Sequence, residues 1–485
     1  MKVFNKLNNI QSSYVFILLF IFVFLTQFYS IDKEVIDWDE STFIIMGKSY
    51  YNGNLPYIEL WDGKPPVHHI LLGISFKLFG PTLLTARLLG DLLIFLTSFF
   101  LFLISKKILN KFESLLCSLL YITLVSFEFS QPTMTEYTST LFILISLYIF
   151  DENLNNRVLI TGVLISLAVL TRTNTAFVAL VFIIYLIKKQ KNIITLAIGG
   201  AIPVLFFSIL YFINGEFHRF IYAIILTPLD NSRYRQNAFV IIKDAYKSIF
   251  FENSFIPLFF ILFLVCSIVF YRKNKIFRVK INQNFKSISL FSFVFLSLVI
   301  SILIGGRFYY HYVIQLFPFL ALFTVLIISN ISFDFKTKYL VFLAILLMNF
   351  IPLSIHSINN VKNYDIIKRN YPIKNLSTLV DENSTILALD NHIIYLYLEN
   401  KLLTPIVHPN VITKPIVYKT LLDSLVKLKY IEVNQYEKIL LNKPDYILCE
   451  KLCKEYLNQD YLDTNYQLIK KQSDIKLYKK KNIKS

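Results

Sequence analysis

The chain has 485 residues, 55% of them hydrophobic and 17% charged, with a formal net charge of +17. A mean hydropathy of +0.55 and recurring apolar runs of roughly twenty residues exclude a single water-soluble globule, because no one core could absorb them, and imply a polytopic helical membrane protein. The basic excess does not require nucleic acid: much of it falls in short loops between apolar runs and in a final Lys479-Lys480-Lys481 run, which reads as a solvated terminus.

The first apolar run, Tyr14 to about Tyr29, follows Lys2 and Lys6 without a small-residue cleavage site, so it reads as a retained helix with a cytoplasmic N-terminus. Residues 31 to about 82 are too polar to cross lipid. They contain two helical stretches, Ser41 to Tyr51 and Val67 to Phe79, whose apolar faces suit a membrane surface, with turn signals at Asn52-Gly53-Asn54 and Pro56 between them. Asp37, Asp39, Glu40, Glu59, Asp62 and Lys64 gather in this loop. Charge at a membrane edge costs free energy and so points to function. The plainer alternative is that Asp39 and Glu40 only cap the helix that follows.

Further runs near 83–105, 114–128, 136–150, 158–171, 173–187, 192–213, 254–271, 287–304, 311–329 and 338–355 bring the expected number of spanning helices to about eleven. Lys106-Lys107, Lys188-Lys189, Lys191, the 272–286 loop and Lys336/Lys338 then share one side, which their charge assigns to the cytoplasm. The outer face receives Asp39, Glu40, Lys64, Glu136, His218, Arg307, His311 and everything after about 356. Between 214 and about 253 a polar loop with Arg219, Arg233 and Arg235 suits a cover over a site.

From Ser357 the texture turns polar, with short β-type runs at Thr385 to Asp390, Ile393 to Leu398 and Tyr446 to Cys449. The expected architecture is therefore an all-α membrane domain over 1–356 followed by a small extracytoplasmic α/β domain over 357–485. Cys117 and Cys266 read as core residues, while Cys449 and Cys453 leave open a disulfide or two places on one helix face.

Asp39-Glu40 with Phe43, then Gly53-Asn54-Leu55-Pro56-Tyr57 and Asp62-Gly63-Lys64-Pro65-Pro66, resemble the first outer loop of GT-C-type polyprenyl-phosphate-sugar glycosyltransferases. That group holds the family 39 protein O-mannosyltransferases and the lipid A aminoarabinose transferases. Gly80 with Arg87, Thr135-Glu136, Arg172 with Asn174, and Gly306-Arg307-Phe308-Tyr309-Tyr310-His311-Tyr312 follow in the family's order, over about the first 330 residues.

The resemblance implies inverting transfer of a sugar from a polyprenyl (undecaprenyl) phosphate to a hydroxyl of a lipid, glycan or protein acceptor, on the outer face of the inner (plasma) membrane. Phosphate is a good leaving group, so one carboxylate suffices where glycosidases commonly need two. The matching base is Asp39, with Glu40 expected to raise its proton affinity by like-charge repulsion. Arg307, Lys64, His311, Arg87 and Arg172 are the candidate donor-phosphate ligands, and Glu136, Asp62, His218 and Tyr310 the candidate acceptor or second acidic site. A divalent metal ion is left open, with Asp62 and Glu136 as donors. Gly63 shifts Asp62 by one position from the acidic residue that directly precedes Lys-Pro in aminoarabinose transferases, which departs from a copied metal site. His68 and His69 are adjacent and point to different faces of a helix, which argues against a two-histidine ligand pair.

Two other classes compete. An O-antigen ligase or polymerase would concentrate arginines and a histidine in late outer loops, and a lipid-linked sugar flippase would carry charge inside helices or show paired halves. The acidic chemistry here sits after the first helix.

Overall fold

A computed structural model describes residues 11–31, 34, 37–126, 133–232, 237, 239–240, 243, 285–305, 309–330, 340, 342–343, 371–415, 417–472 and 474–481. The expected helix near 254–271, most of that near 338–355, Cys266, Arg233, Arg235, Lys336, Lys338 and Arg307 lie outside them, as do the side chains of Tyr310 and Cys453.

The helices run α1 (Ser12–Ile31), α2 (Trp38–Tyr51), α3 (Val67–Phe79), α4 (Leu83–Ser105), α5 (Lys111–Leu124), α6 (Thr135–Ile149), α7 (Asn155–Val169), α8 (Ala176–Lys188) and α9 (Ile193–Ile213). Short α10 (Phe217–Ile221) and α11 (Thr227–Ser232) follow, then α12 (Phe285–Ile304) and, after a 3₁₀ stretch Tyr310–Leu316, α13 (Phe317–Asn330). The C-terminal part adds α14 (Pro372–Ser377), β1 (Ile386–Ala388), α15 (Ile394–Tyr397), α16 (Pro409–Thr413), α17 (Lys419–Lys427), α18 (Gln435–Leu441) and β2 (Tyr446–Cys449). It ends with α19 (Lys451–Tyr456), α20 (Gln459–Asn465), β3 (Tyr466–Gln472) and β4 (Ile475–Lys480).

The chain forms two compact units. One comprises Met1–Ser30, Gly90–Leu210 and Arg235–Val361, and the other Ile31–Leu89, Tyr211–Tyr234 and Lys362–Ser485.

In the first unit, Leu83–Ser105, which enters it at Gly90, Ile193–Ile213 and His311–Asn330 are the helices among the described residues that are long and apolar enough to span a membrane. Ser12–Phe28, Asn155–Val169, Thr173–Lys188 and Ile288–Ile304 are apolar but shorter. The expected 114–128 run is shifted: a capping box starts α5 earlier, Asn110 Oδ1 accepting the Glu113 N–H at 2.9 Å and Glu113 Oε2 the Asn110 N–H at 3.1 Å, and the helix stops at Leu124. Helices α7 and α9 touch backbone to backbone. A Cβ on Gly162 would lie 2.3 Å from Leu196 O and one on Gly199 2.1 Å from Leu159 O. Small residues at such crossings let membrane helices gain close packing that larger side chains forbid.

In the second unit α3 packs on α2, with Gly73 beneath the Tyr50 ring, 2.3 Å from where its Cβ would be. The apolar α3 therefore buries Leu72 and Phe76 against protein. A four-stranded sheet runs in the order β1-β2-β4-β3, parallel between β1 and β2 and antiparallel elsewhere. Tyr446 to Cys449 is a strand as expected, and Cys449 is a free, buried thiol. Lys479 and Lys480 close β4, a strand paired on both sides, with exposed side chains, so that part of the expected tail belongs to the sheet.

Ile393 to Leu398, expected as a strand, contains α15 instead. Its buried apolar run fits a buried helix as well as a strand. The context decides: Lys48 Nζ donates to the carbonyls of Tyr395 (3.1 Å), Leu396 (3.3 Å) and Leu398 (2.7 Å), satisfying the end of the helix with a cation.

Candidate functional site

The N-terminus of α2 is capped by Asp37, whose Oδ1 accepts the Asp39 N–H at 2.7 Å. Asp39 and Glu40 therefore stand in the first turn without acting as the cap, where the helix dipole favours carboxylates. Their environments differ. Glu40 is 1% exposed, and Arg87 grips it with two bonds, Nε to Oε1 at 2.6 Å and Nη2 to Oε2 at 3.0 Å. Asp39 is half-buried, with Oδ1 3.1 Å from Nε2 of His408. An ionised carboxylate only accepts, so the hydrogen of this contact lies on Nε2.

The Glu40 charge, expected to act on Asp39 by like-charge repulsion, is paired with the Arg87 guanidinium. Arg87, expected among the phosphate ligands, is itself fully buried and occupied by Glu40.

Asp62 follows Trp61 and is 5% exposed. Its Oδ2 accepts the Lys64 N–H at 3.3 Å and lies 3.2 Å from His69 Nε2, in ion-pair range though off the direction of a strict hydrogen bond. Burial pushes the Asp62 carboxyl up and so does the charge of Asp39, but His69 and Lys64 outweigh both and hold it below the ordinary value. Asp39, Asp62 and Lys64 are thus close enough to sense one another. Tyr57, at a left-handed φ of 71°, donates its hydroxyl to Lys64 O and orders the turn that presents this lysine.

His218 is exposed on α10, and its neighbour Arg219 makes the contact with the first loop, donating to Ile58 O at 2.9 Å and lying 4.2 Å over the Tyr430 ring.

The first unit has a polar network of its own. Glu136, fully buried in the first turn of α6, is bonded by Arg172, which also donates to Thr135 Oγ1 at 3.0 Å. His311 Nε2 stands 3.7 Å from the same carboxylate, and the Arg172 guanidinium lies 4.9 Å over the Tyr312 ring. Asn174 Nδ2 donates to Gln315 Oε1 at 2.8 Å, and Gln315 Nε2 to Ser139 Oγ at 2.8 Å. Glu136, expected at an acceptor or second acidic site, and Arg172 and His311, expected on donor phosphate, thus share one network, extended through Asn174 by Gln315 and Ser139, which sequence reasoning missed.

For a divalent ion the donors do not fit. Asp62 is engaged with His69 and the Lys64 backbone, Glu136 with Arg172, and no three His, Cys, Asp or Glu side chains gather as a metal group among the described residues.

Sequence reasoning also missed His408 and His392. His392 is 2% exposed and its Nε2 meets Thr42 Oγ1 at 3.1 Å. Each is a lone histidine in an irregular stretch, without periodicity or motif to mark it.

A family model described as dolichyl-phosphate-mannose-protein mannosyltransferase matches residues 63–212. Among solved structures, ArnT from Cupriavidus metallidurans bound to undecaprenyl phosphate is similar, with a TM-score of 0.62 at 12% identity over 97% of this chain and 98% of that one. The same enzyme in the apo state gives 0.61 at 11% identity, over 96% and 98%. No curated protein matches the sequence. The resemblance to the GT-C-type group holds, and the fold is that of ArnT over nearly the whole chain.

Proposed function

We propose that the chain is an integral-membrane, inverting glycosyltransferase that moves a sugar from a polyprenyl phosphate to a hydroxyl of a lipid, glycan or protein acceptor on the outer face of the plasma membrane. One observation carries the choice of base: of the two adjacent carboxylates at the head of α2, the Glu40 side chain is 1% exposed and sealed by Arg87, whereas that of Asp39 is 18% exposed. Asp39 takes the proton of the attacking hydroxyl. The hydroxyl oxygen bonds to the anomeric carbon from the face opposite the phosphate, the carbon–oxygen bond to phosphate breaks with its electron pair, and polyprenyl phosphate leaves. A single displacement inverts the centre.

Lys64, in the same unit as Asp39, is the cation proposed for donor phosphate. An ammonium group at a partly dehydrated site binds phosphate strongly, so its loss should raise KM for the donor.

The test uses membranes carrying the wild type or Asp39→Asn with radiolabelled polyprenyl-phosphate mannose, glucose and aminoarabinose. Release of polyprenyl phosphate and label in lipid, glycan or protein are followed. The wild type should consume one donor and label one acceptor class, and Asp39→Asn should be slower by about 10²–10⁴-fold, the usual contribution of a general base. Wild-type turnover by a folded Asp39→Asn protein would remove the base assignment.

A further inference from the structure

We propose that His408 is a positioning residue for the Asp39 base, which makes the segment after residue 390 part of the reaction site. The inference rests on the glycosyl-transfer reading above.

His408 comes from 369 positions along the chain, and several contacts deliver it. The Trp61 N–H donates to Pro405 O at 2.7 Å and the Val407 N–H to Trp61 O at 3.2 Å, a parallel bridge that ties 405–407 to the residue just before Asp62. Thr404 Oγ1 takes the Ile406 N–H at 3.2 Å. Pro409 opens α16 immediately after His408, fixing the backbone where the ring leaves it. The Trp38 ring stands edge-on to the imidazole, 6.5 Å between centroids. Three residues along α2 from Asp39, Thr42 meets His392, so the same helical face is engaged twice by the segment after 390.

A partly exposed carboxylate on a helix's first turn can rotate, and a base must hold its lone pair toward the proton it removes. A donor fixed on Oδ1 supplies that orientation, and Oδ2 then receives the acceptor's hydroxyl proton as the new carbon–oxygen bond forms and phosphate departs. His408 keeps its own proton throughout, so it acts only through Asp39.

Full-length wild type, His408→Gln, His408→Phe, His408→Ala and Asp39→Asn are assayed with polyprenyl-phosphate mannose, glucose and aminoarabinose, and folding is followed by monodisperse elution. Glutamine places an N–H close to the Nε2 position, whereas phenylalanine keeps the ring volume and has no donor. The expected result is a kcat lower by about 10²-fold in the Phe and Ala variants, the size of loss that a misplacement of about 1 Å produces, with KM unchanged and most of the loss recovered in His408→Gln. Wild-type kcat in a folded Phe or Ala variant, or a loss in His408→Gln as large as in His408→Phe, overturns the positioning role, while the Asp39→Asn loss leaves the parent reading standing. Failure of both donor-less variants to fold makes His408 structural and also overturns it. Normal turnover in Asp39→Asn, or a wild type that consumes none of the three donors, overturns both.

Discussion

Glu40 and Arg87 are both essentially buried and bonded through two oxygens, so each is tolerable only because of the other. Removing one partner of such a pair leaves an uncompensated buried charge and costs about 3–5 kcal/mol, whereas replacing both by apolar residues of similar volume is often neutral or stabilising. Arg87→Met should therefore destabilise strongly, and the double variant Glu40→Leu/Arg87→Met should recover the wild-type melting temperature in detergent. It should also recover turnover, because removing both charges leaves the net field at Asp39 nearly unchanged. A double variant that is stable yet inactive would give Glu40 a direct role in the reaction. The sequence shows an acidic pair at a membrane edge, which suffices to find the site. It does not show which member is accessible, since that depends on an arginine 47 residues away and a histidine in the last quarter of the chain.

Elements were legible where the chain carries a local signal. Val67–Phe79, Leu83–Ser105 and Tyr446–Cys449 form as read, because apolar period and turn residues agree at their ends. Ile393 to Leu398 was not legible, because a fully buried apolar run has no periodicity to separate helix from strand and Lys48, distant in sequence, decides it. Contact between helices leaves a fainter trace, glycine. Gly199→Val should force α7 and α9 apart, since even a Cβ would fall 2.1 Å from the Leu159 carbonyl carried by a rigid helix. Overpacking of this kind costs about 1–3 kcal/mol or more. Gly200→Ala, one residue on, would meet nothing closer than Gly162 O at 3.8 Å and should melt like the wild type. Equal melting temperatures for Gly199→Val and the wild type would mean that the two helices are not held in close contact.

At the scale of the whole molecule, the second unit is assembled from three separated stretches of chain and its polar contacts join the first stretch to the last. Glu34 accepts the Ile373 and Lys374 N–H groups at 2.9 and 2.7 Å, Lys48 caps α15, and His392 and His408 reach α2. No local pattern announces such joins, which is why the change of texture after Ser357 is visible in the sequence while the grouping of that part with residues 31–89 and 211–234 is not. They also set how this unit responds to acid. Burial, reinforced by the charge of His408, holds the His392 imidazole down to about 3 despite the opposing Trp38 backbone and Asp39. The unfolded chain binds that proton near pH 6.5 and the folded chain does not, so stability is full above the unfolded value and falls as pH drops toward the folded one. Asp62, also held low, adds to the loss only below its unfolded value near 4. Burial raises Glu34 against its backbone donors, so its folded form keeps a proton slightly longer and works the other way. Between pH 7.5 and 5.5 His392 therefore dominates among these three. One unit below its free value it costs about 1.4 kcal/mol, or about 3–6 °C for a unit of this size. Both tryptophans, Trp38 and Trp61, belong to this unit, so their fluorescence reports its melting within the full-length protein. The wild-type midpoint should fall by that amount from pH 7.5 to 5.5. His392→Gln, which can still bond Thr42 but cannot titrate, should change little over the same interval. An equal drop in both proteins would assign the acid sensitivity to another group.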